Sequence, residues 1–407
     1  MATTIGERRS PVRTILGVDR RGHDVGLVDA PAGLLDPGDP LGAAFRAAVS
    51  DRLGAFVERR APTLEAMGPE LVGVRAMADA LLSGGKRLRP AFFVWGHVAA
   101  GGRPDDAALL PLLDAAASFD LLHASALVHD DVMDSSELRR GQPAAHVRFE
   151  GLHGREGWLG DGPAFGRAGA ILLGDLLIMW SAQILGEARL HDESLARALP
   201  LVDLMRTEVT CGQYLDMVVQ AQPLARWLPE VAGRPALAGA LADTDRVTEH
   251  KTARYTVVRP VQAGAAVGGA DPRLLDRLLA YGSPLGRAFQ FRDDLLGVFG
   301  DPEVTGKPAG DDLREGKRTV LVAQAYARTD AAGRRLLVEL LGDPDLGADG
   351  VARLQDLITG SGATDEVEAT IAEAHDRALA ALDEADVTDE GRTALRTLAD
   401  AAVRRTA

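Results

Sequence analysis

Apolar residues recur along this chain at the spacing of a helix face. Phe45, Val49, Leu53 and Val57 fall four apart, so on a helix they stack on one side. The same period predicts helices over 105–134, 168–188, 194–220, 244–268, 272–299 and 317–328. Weaker amphipathic helices are predicted over 331–342, 349–360, 364–385 and 389–405. Gly and Pro mark the breaks. Residues 150–167 read as one long polar loop, 222–240 as an irregular connection, and 300–316 as a third loop. No internal repeat and no strand signal stand out. Residues 1–40 are rich in Gly, Pro, Asp and Arg with no apolar period, which predicts a flexible tail. The expected architecture is all-α: a single large helical bundle over 41–407, with ten or more helices and a central ligand cavity.

Composition agrees and narrows the function. Only 4% of the 407 residues are aromatic, which gives little support to a β-sandwich or barrel. The formal net charge is −14, so nucleic acid is not an expected partner, because phosphate-backbone binding needs a basic footprint. Cys211 is the single cysteine, which excludes a disulfide framework or thiolate zinc site within one chain. Residues 1–20 hold charges and no apolar run, so no signal peptide is expected. Ala168–Trp180 is broken by Gly174 and Asp175, so no transmembrane segment is expected either. These features predict a cytoplasmic protein.

The chemistry lies in charged clusters. His129-Asp130-Asp131-Val132-Met133-Asp134 closes an apolar helical run. On a helix, Asp130 and Asp134 share one face and Asp131 flanks them. Carboxylates crowded in this way repel unless cations join them, and hard oxygen ligands suit Mg²⁺ with a phosphate co-ligand. Roughly 160 residues later Gln290-Phe291-Arg292-Asp293-Asp294-Leu295-Leu296-Gly297 repeats the acidic pair on another apolar helix. Cations bracket both clusters. Gly84-Gly85-Lys86-Arg87-Leu88-Arg89-Pro90 precedes a helix, and Arg139-Arg140-Gly141 follows the first acidic run. Lys251-Thr252 lies mid-helix, and Lys307 precedes Asp311-Asp312-Leu313-Arg314-Glu315-Gly316-Lys317-Arg318. An acidic chain with such clusters is suited to two polyanions, one held through metal and one by Lys and Arg directly.

Taken in order, GGKRLRP, DDVMD with RRG, KTARYT, and FQFRDDLLG with GKPAGDDLREGKRT resemble the trans-isoprenyl diphosphate synthases, the polyprenyl synthetase family, over roughly 45–400. Among them, the chain is similar to geranylgeranyl diphosphate synthases. The resemblance implies the all-α isoprenoid synthase fold, a homodimer, and about three Mg²⁺ ions per active site with substrate bound. It implies that Asp130, Asp131, Asp134, Asp293 and Asp294 bind metal. Arg139, Lys251, Lys307 and Lys317 are placed like an allylic diphosphate site. Lys86, Arg89, His123 and Arg140 are placed like the isopentenyl diphosphate site, and Thr252 and Gln290 like polar residues at the reaction centre. His129 reads as a supporting residue. The second acidic motif of the family usually ends in a third aspartate. Here that position is Gly297, with Asp301 one turn further on.

The expected reaction is ionisation of an allylic diphosphate (dimethylallyl, geranyl or farnesyl), attack by isopentenyl diphosphate, and proton loss to the departing diphosphate. Ser125 and Ala126 lie five and four residues before Asp130, where aromatics in the family stop growth at fifteen carbons. Leu122 and Phe119, one and two turns deeper, would form the floor, which points to geranylgeranyl diphosphate, with longer products as an alternative. A class I terpene cyclase would need an aromatic-lined pocket, and a silent regulatory subunit would have lost site residues. The chain fits neither as well.

Overall fold

The stripe Phe45, Val49, Leu53, Phe56 and Val57 is buried on one side of α1 (Ala43–Met67), as its spacing requires. The computed structural model describes residues 14–18, 24–29, 33–103, 106–231, 234–301 and 309–404. Helices α2 (Leu71–Leu82) and α3 (Leu88–Ala99) lead to the central helix α4 (Asp106–Met133). Around α4 pack α1, α3, α5 (Ala145–Arg155) and α6 (Gly162–Glu187). The other wall begins with α7 (Asp192–Gln220), a turn α8 (Leu224–Trp227) and α9 (Leu237–Val247). Helix α9 runs on through a π-helical segment, Thr248–Val258, into α10 (Arg259–Val267). Then come α11 (Pro272–Phe299), the short α12 (Asp311–Arg314) and α13 (Val320–Arg328). A final layer holds α14 (Ala331–Leu340), α15 (Ala348–Gly360), α16 (Ala363–Asp383) and α17 (Asp389–Val403). The all-α expectation is met.

Three expectations need correction. Residues 150–167 are mostly helical: α5 ends at Arg155, and α6 starts at Gly162, capped by the Asp161 side chain accepting from Ala164 N. Two glycines of α6 mark a close crossing of these two helices. A Cβ at Gly166 would overlap the carbonyl oxygen of His146, and one at Gly169 would lie 2.8 Å from the Phe149 ring. The 222–240 connection contains α8, and α9 begins within it at Leu237. Among the described residues strands also occur, in three short antiparallel hairpins. One, β1 (Thr14–Val18) with β2 (Asp24–Asp29), falls inside the stretch expected to be tail. The others pair β3 (Leu138–Arg139) with β4 (Gln142–Pro143), and β5 (Glu230–Val231) with β6 (Arg234–Pro235).

Among the described residues two helical stretches are long and apolar enough to cross a membrane, Ala108–Met133 and Gly162–Glu187. The first is the central helix and is largely buried by its neighbours.

Candidate active site

The first acidic run closes the last turn of α4, where the helix dipole disfavours negative charge, and the second lies between one and two turns before the end of α11, so crowded carboxylates in both need cations nearby. The chain reversal after α4 supplies some of them. Residues 140 and 141 form a two-residue hairpin loop with φ of 52° at Arg140 and 70° at Gly141. This is the type I′ geometry that suits strand twist. A non-glycine residue there carries about 1–2 kcal/mol of strain. The reversal carries Arg139 back onto α4, where Nε donates to Asp131 Oδ1 at 2.9 Å and Nη2 donates to the same oxygen.

A cavity of about 740 Å³ opens between these elements. On its acidic side stand Asp130, Asp293, Asp294, Asp311 and Asp312, with Lys251, Lys317 and Arg139. Lys251 Nζ lies 3.2 Å from Asp130 Oδ1 and 2.6 Å from Asp216 Oδ2. Lys317 Nζ lies 2.7 Å from Glu315 Oε2, 3.1 Å from Asp312 Oδ1 and 3.6 Å from Asp134 Oδ2, and so ties α4 to the segment after α11. Asp131 and Asp134 sit behind the wall, and Asp131 is 1% exposed and locked to Arg139. Thr252 Oγ1 donates to Gln290 Oε1 at 2.6 Å, and Gln290 Nε2 donates to Asp294 Oδ1 at 2.8 Å.

Arg89, Arg140, His123, Lys86 and Arg87 line the same cavity. Arg89 stacks over the Tyr255 ring at 4.2 Å and donates to Thr256 Oγ1 at 2.9 Å. His123 Nδ1 lies 3.0 Å from Tyr255 Oη. Arg87 is buried and committed to Asp120 at 2.7 Å, so it braces the loop. His129 turns to Ile171 O at 3.1 Å and is not on the wall.

Burial works against every charge here, and the partners decide the outcome. Burial alone would raise Asp130, but Lys251, Lys317 and Arg139 hold it down at about 2. Burial and the Asp130 charge push Asp134 up to about 6. Burial pushes Asp294 up to about 8, against the Gln290 hydrogen bond and with the help of Asp312 and Asp293. Burial disfavours charge on Lys251 and Lys317, yet their carboxylate partners keep both above the ordinary lysine range. Burial, then Arg89 and Arg140, lower His123 well below its usual value, so it is neutral at pH 7.

Does this donor set fit Mg²⁺? Among the described residues no three acidic, His or Cys side chains converge as a ready cage. Mg²⁺ does not need one, since it takes one or two carboxylates, waters and substrate phosphates. Burial first, and neighbouring carboxylates second, hold Asp134 and Asp294 well above their normal range, and a cation bound beside them would offset both. The residues present therefore fit a hard cation with a phosphate co-ligand.

Of the residues expected at the site, Asp130, Asp293, Asp294, Lys86, Arg89, His123, Arg139, Arg140, Lys251, Thr252, Gln290 and Lys317 share the one cavity wall. Lys307 lies outside the described residues. Ala126 lines the cavity, whereas Ser125, Leu122 and Phe119 are buried behind it, with Phe119 packed on Phe93 at 5.1 Å. Asp301 follows the end of α11 and is not on the wall. Sequence reasoning missed Gln213, whose Nε2 donates to Asp130 Oδ1 at 2.9 Å, and Asp216. Their signal was present: in GQYLD the two lie three apart on one face of α7.

Comparison with known proteins places this arrangement. The profile of the family described as polyprenyl synthetase matches residues 73–358. The geranylfarnesyl diphosphate synthase of Aeropyrum pernix is 34% identical over 289 residues, 70% of this chain and 79% of that one. A (2E,6E)-farnesyl diphosphate synthase of Mycobacterium tuberculosis is 31% identical over 281 residues, 68% of each chain. The geranylgeranyl pyrophosphate synthase of Corynebacterium glutamicum, solved with isoprenyl diphosphate and magnesium, aligns with a TM-score of 0.82 and 39% identity. That alignment covers 91% of this chain and all of the other. The matched span holds every described charged residue of the cavity, and the chain belongs to the polyprenyl synthetase family as a prenyl diphosphate synthase.

Proposed function

We propose that the enzyme condenses isopentenyl diphosphate head-to-tail with an allylic diphosphate, and that its product is the linear trans compound geranylgeranyl diphosphate. The observation that carries this reading is a single cavity with acids and their lysines on one side and a separate arginine set on the other. Lys251, Lys317 and Arg139 suit the allylic diphosphate, and Lys86, Arg89 and Arg140 suit the isopentenyl one. Neutral His123 offers a hydrogen bond without adding charge. Asp130, Asp293 and Asp294 on the wall, with Asp131 and Asp134 behind it, would hold Mg²⁺, about three ions with both substrates present. Bound there, the metal would neutralise the diphosphate and make it a better leaving group. The Thr252–Gln290–Asp294 chain fixes the polar groups beside the allylic carbon, and departing pyrophosphate takes the proton, so no dedicated base is needed.

Small Ala126 on the wall supports growth beyond fifteen carbons. A longer product is the second reading, favoured by the placement of Phe119 and Leu122 behind the wall. A cyclase is disfavoured, because among the described lining residues only Tyr255 and Phe289 are phenyl-bearing. The enzyme is proposed to work as a homodimer through the apolar face of α6 and α7, where Leu172, Met179 and Tyr214 are 68%, 61% and 66% exposed.

The test incubates purified protein with isopentenyl diphosphate, Mg²⁺ and dimethylallyl, geranyl or farnesyl diphosphate in turn. Dephosphorylated products are identified by mass spectrometry. A linear twenty-carbon alcohol, lost with EDTA and in Asp130→Ala, is expected. Cyclic hydrocarbon without consumption of isopentenyl diphosphate overturns the transferase reading. Alcohols of twenty-five or more carbons overturn the chain length alone.

A further inference from the structure

Glu249 lies two residues before Lys251 and is buried, yet it does not line the cavity. Its Oε1 accepts from Arg254 Nε at 2.6 Å. Its Oε2 accepts from Ser283 Oγ at 2.6 Å and from Arg287 Nε at 3.1 Å, both on α11. Arg254 Nη1 reaches on to Glu208 of α7 at 3.4 Å. Glu208 in turn accepts two bonds from Arg259, at 2.7 and 2.6 Å. Behind the cavity wall there is thus a row of alternating charges, Glu249–Arg254–Glu208–Arg259, tied to α11 at one end and to α7 at the other. Burial alone would raise the Glu249 carboxyl, and Ser283, Arg254 and Arg287 bring it below the ordinary glutamate value.

Residues 249, 254 and 259 are five apart. In an α-helix, at about 3.6 residues per turn, positions five apart point roughly 140° away from one another and share no face. In the π-helix Thr248–Val258 the backbone bonds run to the fifth residue, and the amide of Arg259 still donates to the Arg254 carbonyl. The three positions therefore stack on one side. Lys251 and Thr256, also five apart, stack in the same way on the cavity side, where Thr256 Oγ1 accepts from Arg89 at 2.9 Å. We infer that the row Glu249–Arg254–Glu208–Arg259 locks the wide register of this segment, and so sets where Thr256 stands relative to Lys251. These are positioning residues, since they act through the helix rather than on a substrate. The role rests on the reading of Lys251 as serving the allylic diphosphate and Arg89 the isopentenyl one. Without the row the segment relaxes toward an ordinary α-helix. Lys251 stays on Asp130 and Asp216, while Thr256 swings round the helix and leaves Arg89 without its partner.

Steady-state kinetics of the full chain, with KM read separately for each substrate, test this. Glu249→Gln, which keeps the size of the side chain, and Arg254→Gln are each expected to raise KM for isopentenyl diphosphate about tenfold. KM for the allylic diphosphate is expected to stay within about twofold. The double variant is expected to be no worse than the weaker single, because both changes break one row. Where these variants fold poorly, Arg259→Lys keeps the charge, loses the paired bond to Glu208, and is expected to show the same split to a smaller degree. Asp114→Asn is the control for mere loss of stability. It removes the part-buried pair Arg52–Asp114 away from the cavity, and is expected to lower the melting temperature with both KM values unchanged. If the row variants keep wild-type KM values, or if both KM values rise together, the register lock is wrong. If wild type consumes no isopentenyl diphosphate with any allylic partner, the functional reading beneath it fails instead.

Discussion

Asp294 is the residue at which burial and function are most openly at odds. Its carboxyl is pushed up to about 8, against an ordinary value near 3.8. Between those values the folded chain holds a proton that the unfolded chain has lost, so stability falls as pH rises through that range. His97, lowered by burial to about 4, and His123 act oppositely: they must stay neutral in the fold, so they cost stability as pH falls below about 6.5. The clean window is pH 6.5–8. There the metal-free protein is expected to gain about 1–2 kcal/mol on acidification, read as a rise in melting temperature. Asp294→Asn is expected to flatten that slope, and so is Mg²⁺ with pyrophosphate. A wild-type slope unchanged by either places the titrating group elsewhere. Much at this scale was legible in the sequence, because paired acids and their flanking cations sit in short local runs. What escaped was pairing across the chain. Lys251 is shared by Asp130 on α4 and Asp216 on α7, and a single sequence gives no measure of which distant helix brings its partner.

At the scale of elements, the helix carrying Lys251 and Thr252 is wound wide, as a π-helix over Thr248–Val258, a form rare in long runs and frequent at functional sites. Its neighbours make room with glycines. A Cβ at Gly212 on α7 would overlap Lys251 N, and one at Gly286 on α11 would overlap Ala253 Cα and lie 2.6 Å from its Cβ. Gly286→Ala is therefore expected to cost about 1–3 kcal/mol, as overpacking does, and to lower kcat by displacing Lys251 and Thr252. Denaturant unfolding and steady-state kinetics check both. A variant with unchanged stability and rate shows that the segment needs no such room. Helices with a clear apolar period were legible nearly to the residue, for example 272–299. Elements joined by glycine contact were not. Gly166 looks like a loop residue in sequence, and only the nearness of His146 shows it to be a packing position.

At the scale of the molecule, an apolar face on α6 and α7 meets solvent. It includes Ile171, Leu172, Met179, Tyr214, Met217 and Val218, with Arg206 reaching Ser181 at 3.4 Å between the two helices. Leu172→Glu with Met179→Glu puts charge on that face, and neither residue lines the cavity. Sedimentation is expected to show a dimer for wild type and a monomer for the variant. A monomeric wild type ends the homodimer proposal.

The bridge made by Lys317 has a consequence best put as linkage. Metal entering the cavity alone meets carboxylates already neutralised by lysine and arginine, and diphosphate alone meets cations already neutralised by carboxylates. When both arrive together, each takes over as counterion for the protein group that the other releases. Their affinities are then bound to rise together and by the same factor, whichever binds first.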